Sequence, residues 1–176
     1  MFTRKTNARM LSLTAAAVAL AVSVSTGADA ATKQGTIAVS AQVTAACTLA
    51  TNTLDFGAYD PLGTNATADL TKSTDITVSC TNNAATTITL STGAHPVGSP
   101  ATGRQLADVP GTHFLNYSLY SDAALQNQWG DGTLGATVAY TGTGGTSTLT
   151  VFGKVDKGQT ATAGTYSDSV TATITF

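Results

Sequence analysis

Residues 35–47 read GTIAVSAQVTAAC, and this stretch decides how the rest of the chain is interpreted. Its apolar side chains fall at every second position, Ile37, Val39, Ala41 and Val43, which predicts a strand with one apolar face. Only residues 44–46 separate this strand from Cys47. If Cys47 is pinned to the domain, the strand cannot easily reach the far edge of its own sandwich. An apolar strand that stays uncovered promotes aggregation unless another molecule binds it.

The segment before this strand has the three-part pattern of a secretory signal. Three basic residues in the first nine positions precede an uncharged, largely apolar run at residues 10–24, and small residues stand at 28 and 30. The alternative is a membrane anchor, but 15 residues are short of the roughly 20 that a spanning helix needs. We therefore predict a signal peptide over residues 1–30, with cleavage after Ala30.

The composition of the remaining chain favours one all-β domain. Residues 31–176 carry five basic residues and nine Asp, a net charge of −4, and Glu is absent from the whole sequence. This negative net charge gives no indication of a basic surface that could bind nucleic acid. Thr occurs 31 times after position 30, and its branched β-carbon suits strands. No second apolar run follows the signal, so we expect no membrane span in the mature protein.

Cys47 and Cys80 are the two cysteines of the chain. In an oxidising compartment two cysteines most simply form one disulfide, which predicts a bridge between them. A zinc site is a poor alternative, because His95 and His113 stand in unrelated contexts without zinc-ligand spacing.

Further period-two segments predict about seven strands, which fits an immunoglobulin-like sandwich. The last of them ends the chain, with Val170, Ala172, Ile174 and Phe176 on one face. Residues 142–145, GTGG, are Gly-rich and predict a hairpin turn. Polar loops are expected at residues 58–71, 92–103 and 126–135. The strands are predicted at residues 47–56, 75–81, 86–92, 114–120, 137–140, 147–155 and 166–176.

Several short motifs, taken in order, resemble the spore coat protein U-type domain, in particular the major pilin of archaic, Csu-type chaperone–usher pili. The resemblance covers residues 35–176. The motifs are Cys47-Thr48-Leu49, Leu54-Asp55-Phe56-Gly57, Thr77-Val78-Ser79-Cys80, Tyr117-Ser118-Leu119-Tyr120-Ser121-Asp122-Ala123, Phe152-Gly153 and Ala163-Gly164-Thr165-Tyr166-Ser167-Asp168.

This resemblance implies an all-β, incomplete immunoglobulin-like sandwich that lacks its last strand and is completed in trans by donor-strand exchange. Residues 31–46 would be the donor extension and tether, and residues 47–176 the pilin domain. Ile37, Val39, Ala41 and Val43 would enter the groove of a neighbouring subunit. Val170, Ala172, Ile174 and Phe176 would form the groove edge and contact a chaperone.

The implied partners are a periplasmic chaperone, an outer-membrane usher and further copies of the chain, which assemble into extracellular fibres for attachment and biofilm formation. A secreted spore-coat or matrix protein of the same fold is the first alternative. The donor segment could also be an ordinary first strand of a closed sandwich, and from alternation alone that interpretation would be preferred. The short tether and the resemblance reverse the preference.

An enzyme is not predicted, and neither a metal nor another cofactor is expected. The chain has no Gly-x-Ser-x-Gly elbow for a hydrolase, and it lacks Glu while most mature Asp residues sit in turn-like contexts. His95 and His113 are interpreted as surface or strand-end residues. Trp129, the sole Trp, could stack on a sugar in a carbohydrate-binding module, but we favour a loop anchor packed on the domain.

Overall fold

The computed structural model of the chain describes residues 30–176. The predicted signal segment therefore lies, except for Ala30, outside the described residues. Within the described part of the chain, no helix has both the length and the apolar character needed to cross a membrane.

Ten strands and one turn of 3-10 helix, Thr64–Ala66, make up the regular structure of residues 30–176, which confirms the all-β prediction. All strand pairs are antiparallel. The strands are β1 (Cys47–Thr51), β2 (Leu70–Cys80), β3 (Ala85–Leu90), β4 (Pro96–Val97), β5 (Gly103–Asp108), β6 (Phe114–Tyr120), β7 (Val138–Thr141), β8 (Thr146–Val155), β9 (Tyr166–Ser167) and β10 (Ala172–Thr175).

The strands form two sheets. In the large sheet the order is β1–β2–β8–β6–β5, and β4 and β9 both pair with β5 on the edge opposite β6. In the small sheet the order is β10–β3–β7. β1 and β10 are thus edge strands of different sheets, and they lie close to each other.

The core lies between the sheets and follows from the alternation of the long strands, because successive side chains of a strand point to opposite faces. β6 occupies residues 114–120, as predicted, and buries Leu115, Tyr117 and Leu119. The opposite face of β2, for example, carries Thr71, Ser73, Asp75, Thr77 and Ser79. The other buried apolar strand residues are Ile76, Val78 and Cys80 of β2, Ile88 and Leu90 of β3, Ala107 of β5, and Val151 and Val155 of β8.

The predicted hairpin at residues 142–145 is wrong. β7 pairs with β3 and β8 pairs with β2, so this segment carries the chain from one sheet to the other. Gly142 is needed there because a Cβ would collide with the carbonyl oxygen of Thr81. Gly144 has φ +77°, a conformation that favours glycine. The local turn chemistry was correctly identified, but it does not specify which sheet each flanking strand joins.

Sequence analysis missed β4 and β5, and it began β2 five residues late. β5 starts where the predicted loop at residues 92–103 ends, and its buried members include Arg104, which is 1% exposed. A buried arginine breaks the apolar alternation by which a strand is recognised, so β5 carried no clear signal.

Trp129 is a loop anchor, as favoured. Its side chain is 1% exposed, and the indole Nε1–H donates a hydrogen bond to the carbonyl oxygen of Ile88, 3.1 Å away. A buried indole offers no stacking platform, so the interpretation of Trp129 as an exposed sugar-binding residue is wrong.

Candidate functional site

A groove of about 800 Å³ opens between the segment that follows β1 and the segment that leads into β9. Its first wall is residues 53–59 and its second wall is residues 161–168. The floor belongs to the large sheet and is apolar, formed by Leu70, Leu106, Leu115 and Val155. We call this cavity the groove.

The first wall is held by side-chain hydrogen bonds. The Thr74 hydroxyl donates to the carbonyl oxygen of Thr53 at 3.0 Å, and the Tyr59 hydroxyl donates to the carbonyl oxygen of Asp156 at 3.0 Å. Leu54 and Phe56 are half-buried and turn towards the core. The wall is therefore fixed in place although it lies beyond the paired part of β1.

The second wall continues into the last strand, which changes sheets along its length. β9 pairs with β5 of the large sheet, whereas β10 pairs with β3 of the small sheet. Val170, Ala172 and Ile174 are half-buried and pack against the border of the core, while Phe176 is 56% exposed. These four residues of the predicted groove edge extend the second wall away from the cavity, along the free edge of β10.

A buried polar cluster holds the last strand where it changes sheets. The Asp168 carboxylate, whose side chain is 1% exposed, accepts a 2.6 Å hydrogen bond from the Tyr117 hydroxyl and a 2.8 Å bond from the N–H of Ala94. Arg104 donates to the carbonyl oxygens of Ser91 and Leu90 at 2.8 and 3.0 Å. The Asp168 bonds connect the segment between β9 and β10 to β6 and to the loop after β3, and the Arg104 bonds connect β5 to the end of β3.

The same burial shifts the proton equilibria of this cluster. Desolvation, followed by the hydrogen bond to Asp168, raises the pKa of Tyr117 far above its ordinary value of 10.0, so the phenol stays protonated and remains a donor. Burial lowers the pKa of Arg104 from 12.5, and the negative charges of Asp131 and Asp168 partly oppose this. Sequence analysis named Tyr117 and Asp168 only as parts of motifs and did not foresee that they meet.

The predicted donor residues are all exposed. Ile37, Val39 and Val43 are 86%, 89% and 81% exposed, and Ala41 is exposed as well. Among the described residues, those before Cys47 belong to no strand. The alternating apolar side chains of this segment are therefore exposed to solvent in this structure.

Cys47 and Cys80 form the predicted disulfide. The two residues lie directly opposite each other in the β1–β2 pairing, with their Cα atoms 4.1 Å apart. The bond anchors the beginning of β1, so the tether of residues 44–46 starts from a fixed point.

Each histidine lies beside an aspartate that also holds a turn. His113 Nδ1 is 2.7 Å from Asp108 Oδ2, and Asp108 Oδ1 accepts the N–H groups of Gly111, Thr112 and His113. His95 Nδ1 lies 3.4 Å from the buried Asp168. Both carboxylates are thus engaged by backbone N–H groups, which fits a structural role for the two pairs.

These features define an all-β domain with a groove of apolar floor and mixed walls beside its terminal strand. The chain belongs to the Spore Coat Protein U domain family, whose model matches residues 33–173. It is 36% identical over 158 residues to Protein U of Myxococcus xanthus, a match that covers 85% of this chain and 88% of that protein.

The fold is similar to a solved structure from archaic chaperone–usher Csu pili of Acinetobacter baumannii, the CsuC–CsuE chaperone–tip adhesion subunit pre-assembly complex. The TM-score is 0.57 and the sequence identity is 18%. The match covers 76% of this chain and 40% of that chain. At this identity the likeness establishes the fold, which is immunoglobulin-like, as predicted.

Proposed function

We propose that this chain is a structural subunit of a chaperone–usher pilus. Residues 35–43 of one subunit would fill the groove of the next and complete its sandwich by donor-strand exchange. The observation that carries the proposal is a groove with an apolar floor, between residues 53–59 and residues 161–168, in a chain whose own exposed N-terminal segment alternates apolar residues. A groove of this kind takes an extended strand, because main-chain hydrogen bonds supply affinity and alternate side chains fill pockets.

The donor segment has the side chains for such a joint. Full burial of a Val or Ile side chain stabilises a complex by about 1.5–3 kcal/mol. Ile37, Val39 and Val43 are more than 80% exposed in the single chain, so they can gain most of this burial. Ala41 adds little apolar area. The free edge of β10 and the edge of β1 offer backbone groups to an incoming strand.

A periplasmic chaperone would cover the groove until an outer-membrane usher exchanges it for the donor segment of the next subunit. The family membership and the fold similarity to a chaperone-bound Csu subunit support these partners. The signal-like N-terminus supports export through the periplasm to the cell surface. Fibres of this kind would serve attachment and biofilm formation, and this role involves no catalytic step.

Expression with and without residues 31–43, beside the candidate chaperone and usher, tests the proposal. The full chain should form detergent-resistant ladders that heat dissociates, and the shortened chain should not.

Val39→Asp should abolish the ladders and leave chaperone binding intact, because a charge at an inward position of the donor cannot enter an apolar groove. Ser40→Asp, on the opposite face of the segment, is the matched control and should still assemble. A stable monomer from the full chain would refute strand donation.

A second candidate function is a secreted spore-coat or matrix protein. The family description and the 36% identity to Protein U favour it. Fractionation of the producing cells separates the two, since a pilus subunit is sheared from the surface as fibres and a coat protein stays with the spore or matrix.

A further inference from the structure

We propose that the outer face of the large sheet carries a site for a pyranose ring of a neutral extracellular polysaccharide. The site is a depression of about 430 Å³ between β2, β8 and the loop that follows β6. All of its lining comes from one chain. The inference therefore goes beyond the proposed strand exchange and does not depend on it.

The alternation of the two strands directs the depression away from the core. Val151 of β8 is buried, so its neighbour Phe152 points to the opposite face of the sheet. Ile76 of β2 is buried, so Thr71 and Ser73, which lie an odd number of positions away, point to that same outer face. Ser73 and Phe152 are direct partners in the β2–β8 pairing, so their side chains lie side by side.

The lining of the depression has an apolar part and a polar part. Phe152 supplies an aromatic ring, and Ala123 and Leu125 of the loop supply aliphatic carbon atoms. Thr71 and Ser73 supply hydroxyl groups. A pyranose ring has the same division, because its C–H groups form an apolar face that packs on an aromatic ring while its hydroxyl groups form hydrogen bonds. The volume falls within the range of about 300–1,000 Å³ that is usual for sites of small ligands.

The charges around the depression favour a neutral sugar. Lys72 is the one charged residue of the lining. It pairs with Gly153, and a Cβ at Gly153 would meet the first wall of the groove, so Lys72 belongs to the opposite face of the sheet. Lys154, on the same face as Phe152, is paired with Asp156 at 2.8 Å. The depression therefore offers no free charge on its own face to an acidic or basic ligand.

Leu125 lines the depression from a strained backbone position. Its φ is +55°, in the left-handed region that bulky side chains rarely adopt. Asp122 maintains this conformation, because its carbonyl oxygen accepts the N–H of Leu125 at 3.1 Å and its Oδ1 accepts the N–H of Asn127 at 2.7 Å. Residues that are held in such conformations concentrate at sites that clamp ligands. The loop is thus ordered before a ligand arrives, which lowers the entropy cost of binding.

Saturation-transfer difference NMR on the full chain, purified from the periplasm, tests the site. The probes are maltotetraose, cellotetraose and chitotetraose, which are neutral oligomers of glucose or N-acetylglucosamine. At least one probe should receive magnetisation at its ring protons, and Phe152→Ala should weaken its binding about tenfold or more. Phe152→Tyr should retain binding. Phe114→Ala, which removes a partly exposed aromatic ring outside the depression, is the matched control and should bind as the wild type does.

A second variant separates binding from folding. Leu125→Gly removes one wall of the depression but suits the left-handed backbone, which glycine adopts readily. It should weaken binding of the same probe about fivefold or more without lowering the melting temperature. A lower melting temperature with unchanged binding would mean that Leu125 only packs the loop, and this would overturn the site.

Two further outcomes would also overturn the site, namely no transfer to any of the three probes and equal binding by Phe152→Ala and the wild type. A chain that binds the probe in this manner but forms no ladders would refute strand exchange and leave the site standing. A chain that forms ladders and binds none of the probes would do the reverse.

Discussion

Asp168 is the residue on which the course of the last strand depends most directly. It lies between β9 and β10, and its buried carboxylate joins the Tyr117 hydroxyl on β6 to the backbone of Ala94. A buried carboxylate is tolerated when its oxygens are hydrogen-bonded, and here the bonds come from two separate parts of the chain. The position of the second wall of the groove is therefore set by a side chain and not by sheet pairing alone.

Asp168→Asn should destabilise the protein. The substitution leaves Arg104 without a buried negative charge near it and presents an amide to the Tyr117 hydroxyl, which costs about 1–3 kcal/mol. Thermal unfolding should show a melting temperature several degrees lower. Asp75→Asn is the control, since Asp75 accepts only a Thr150 hydroxyl on the sheet surface and its loss should cost less. Equal losses in the two variants would contradict the role given to Asp168.

The turn that carries Val109 should loosen only in strong acid. Hydrogen bonds from the backbone and imidazole of His113 lower the pKa of the Asp108 carboxyl from 3.8 to about 2. A carboxyl with a depressed pKa stabilises the folded state above its unfolded pKa, and this contribution is lost as the pH falls through about 2. Asp108→Asn should therefore melt below the wild type at pH 7, and the difference should close between about pH 4 and about pH 2. A difference that is constant over this range would rule out the linkage.

At the level of residues, the sequence identified groups whose role is local or chemically unambiguous. The disulfide between Cys47 and Cys80 could be predicted because two cysteines in an exported chain have one obvious partner each. The cluster of Arg104, Tyr117 and Asp168 could not, because its members are 13 and 51 positions apart and meet only after the sheets have packed. An isolated arginine in an apolar context, as in GRQLAD, is the one signal that could have indicated a buried charge.

At the level of elements, the prediction was good where alternation continues without a break and poor where packing decides. β6 was predicted to the residue, whereas the two halves of the last strand, β9 and β10, were predicted as one strand in one sheet. The switch occurs at residues 168–171, where Asp168 binds across the sandwich and the chain leaves β5 for β3. Periodicity indicates which face of the sheet a side chain occupies, but it does not indicate which other strand the strand pairs with.

Gly153 controls the position of the first wall of the groove. A Cβ at this position would stand 2.6 Å from Leu54 Cδ2 and 2.7 Å from Phe56 Cζ, so Gly153→Ala must push residues 53–59 outwards. Overpacking of this kind costs about 1–3 kcal/mol. We expect a lower melting temperature and a smaller fraction of the chain converted to ladders. Gly145→Ala is the control, since a Cβ there meets only Thr143 Oγ1 at 4.0 Å. If the Gly153→Ala chain assembles as well as this control, residues 53–59 can move outwards without loss of assembly.

For the whole molecule, the decisive feature is that the sandwich ends on two unjoined edges. β1 lies at one edge of the large sheet and β10 at one edge of the small sheet, and the groove lies between the segment that follows β1 and the segment that precedes β10. The proposed function assigns the exposed residues 35–43 to the groove of a neighbouring subunit. The sequence alone predicted this segment and the tether, but the shape of the groove required the packed walls at residues 53–59 and 161–168.

A chain that carries its donor segment at the other end should become a stable monomer. In this variant residues 31–43 are removed from the N-terminus, and residues 35–43 follow Phe176 through a short turn, where they can pair antiparallel to β10. Burial of Ile37, Val39 and Val43 in the chain's own groove should raise the melting temperature by on the order of 10 °C over the chaperone-released chain without the appended segment. Size-exclusion chromatography should give a monomer that forms no ladders with the usher. The same chain with Val39→Asp in the appended segment is the control and should gain no stability. Equal melting temperatures for the two appended chains would mean that the groove does not accept this strand in the antiparallel direction.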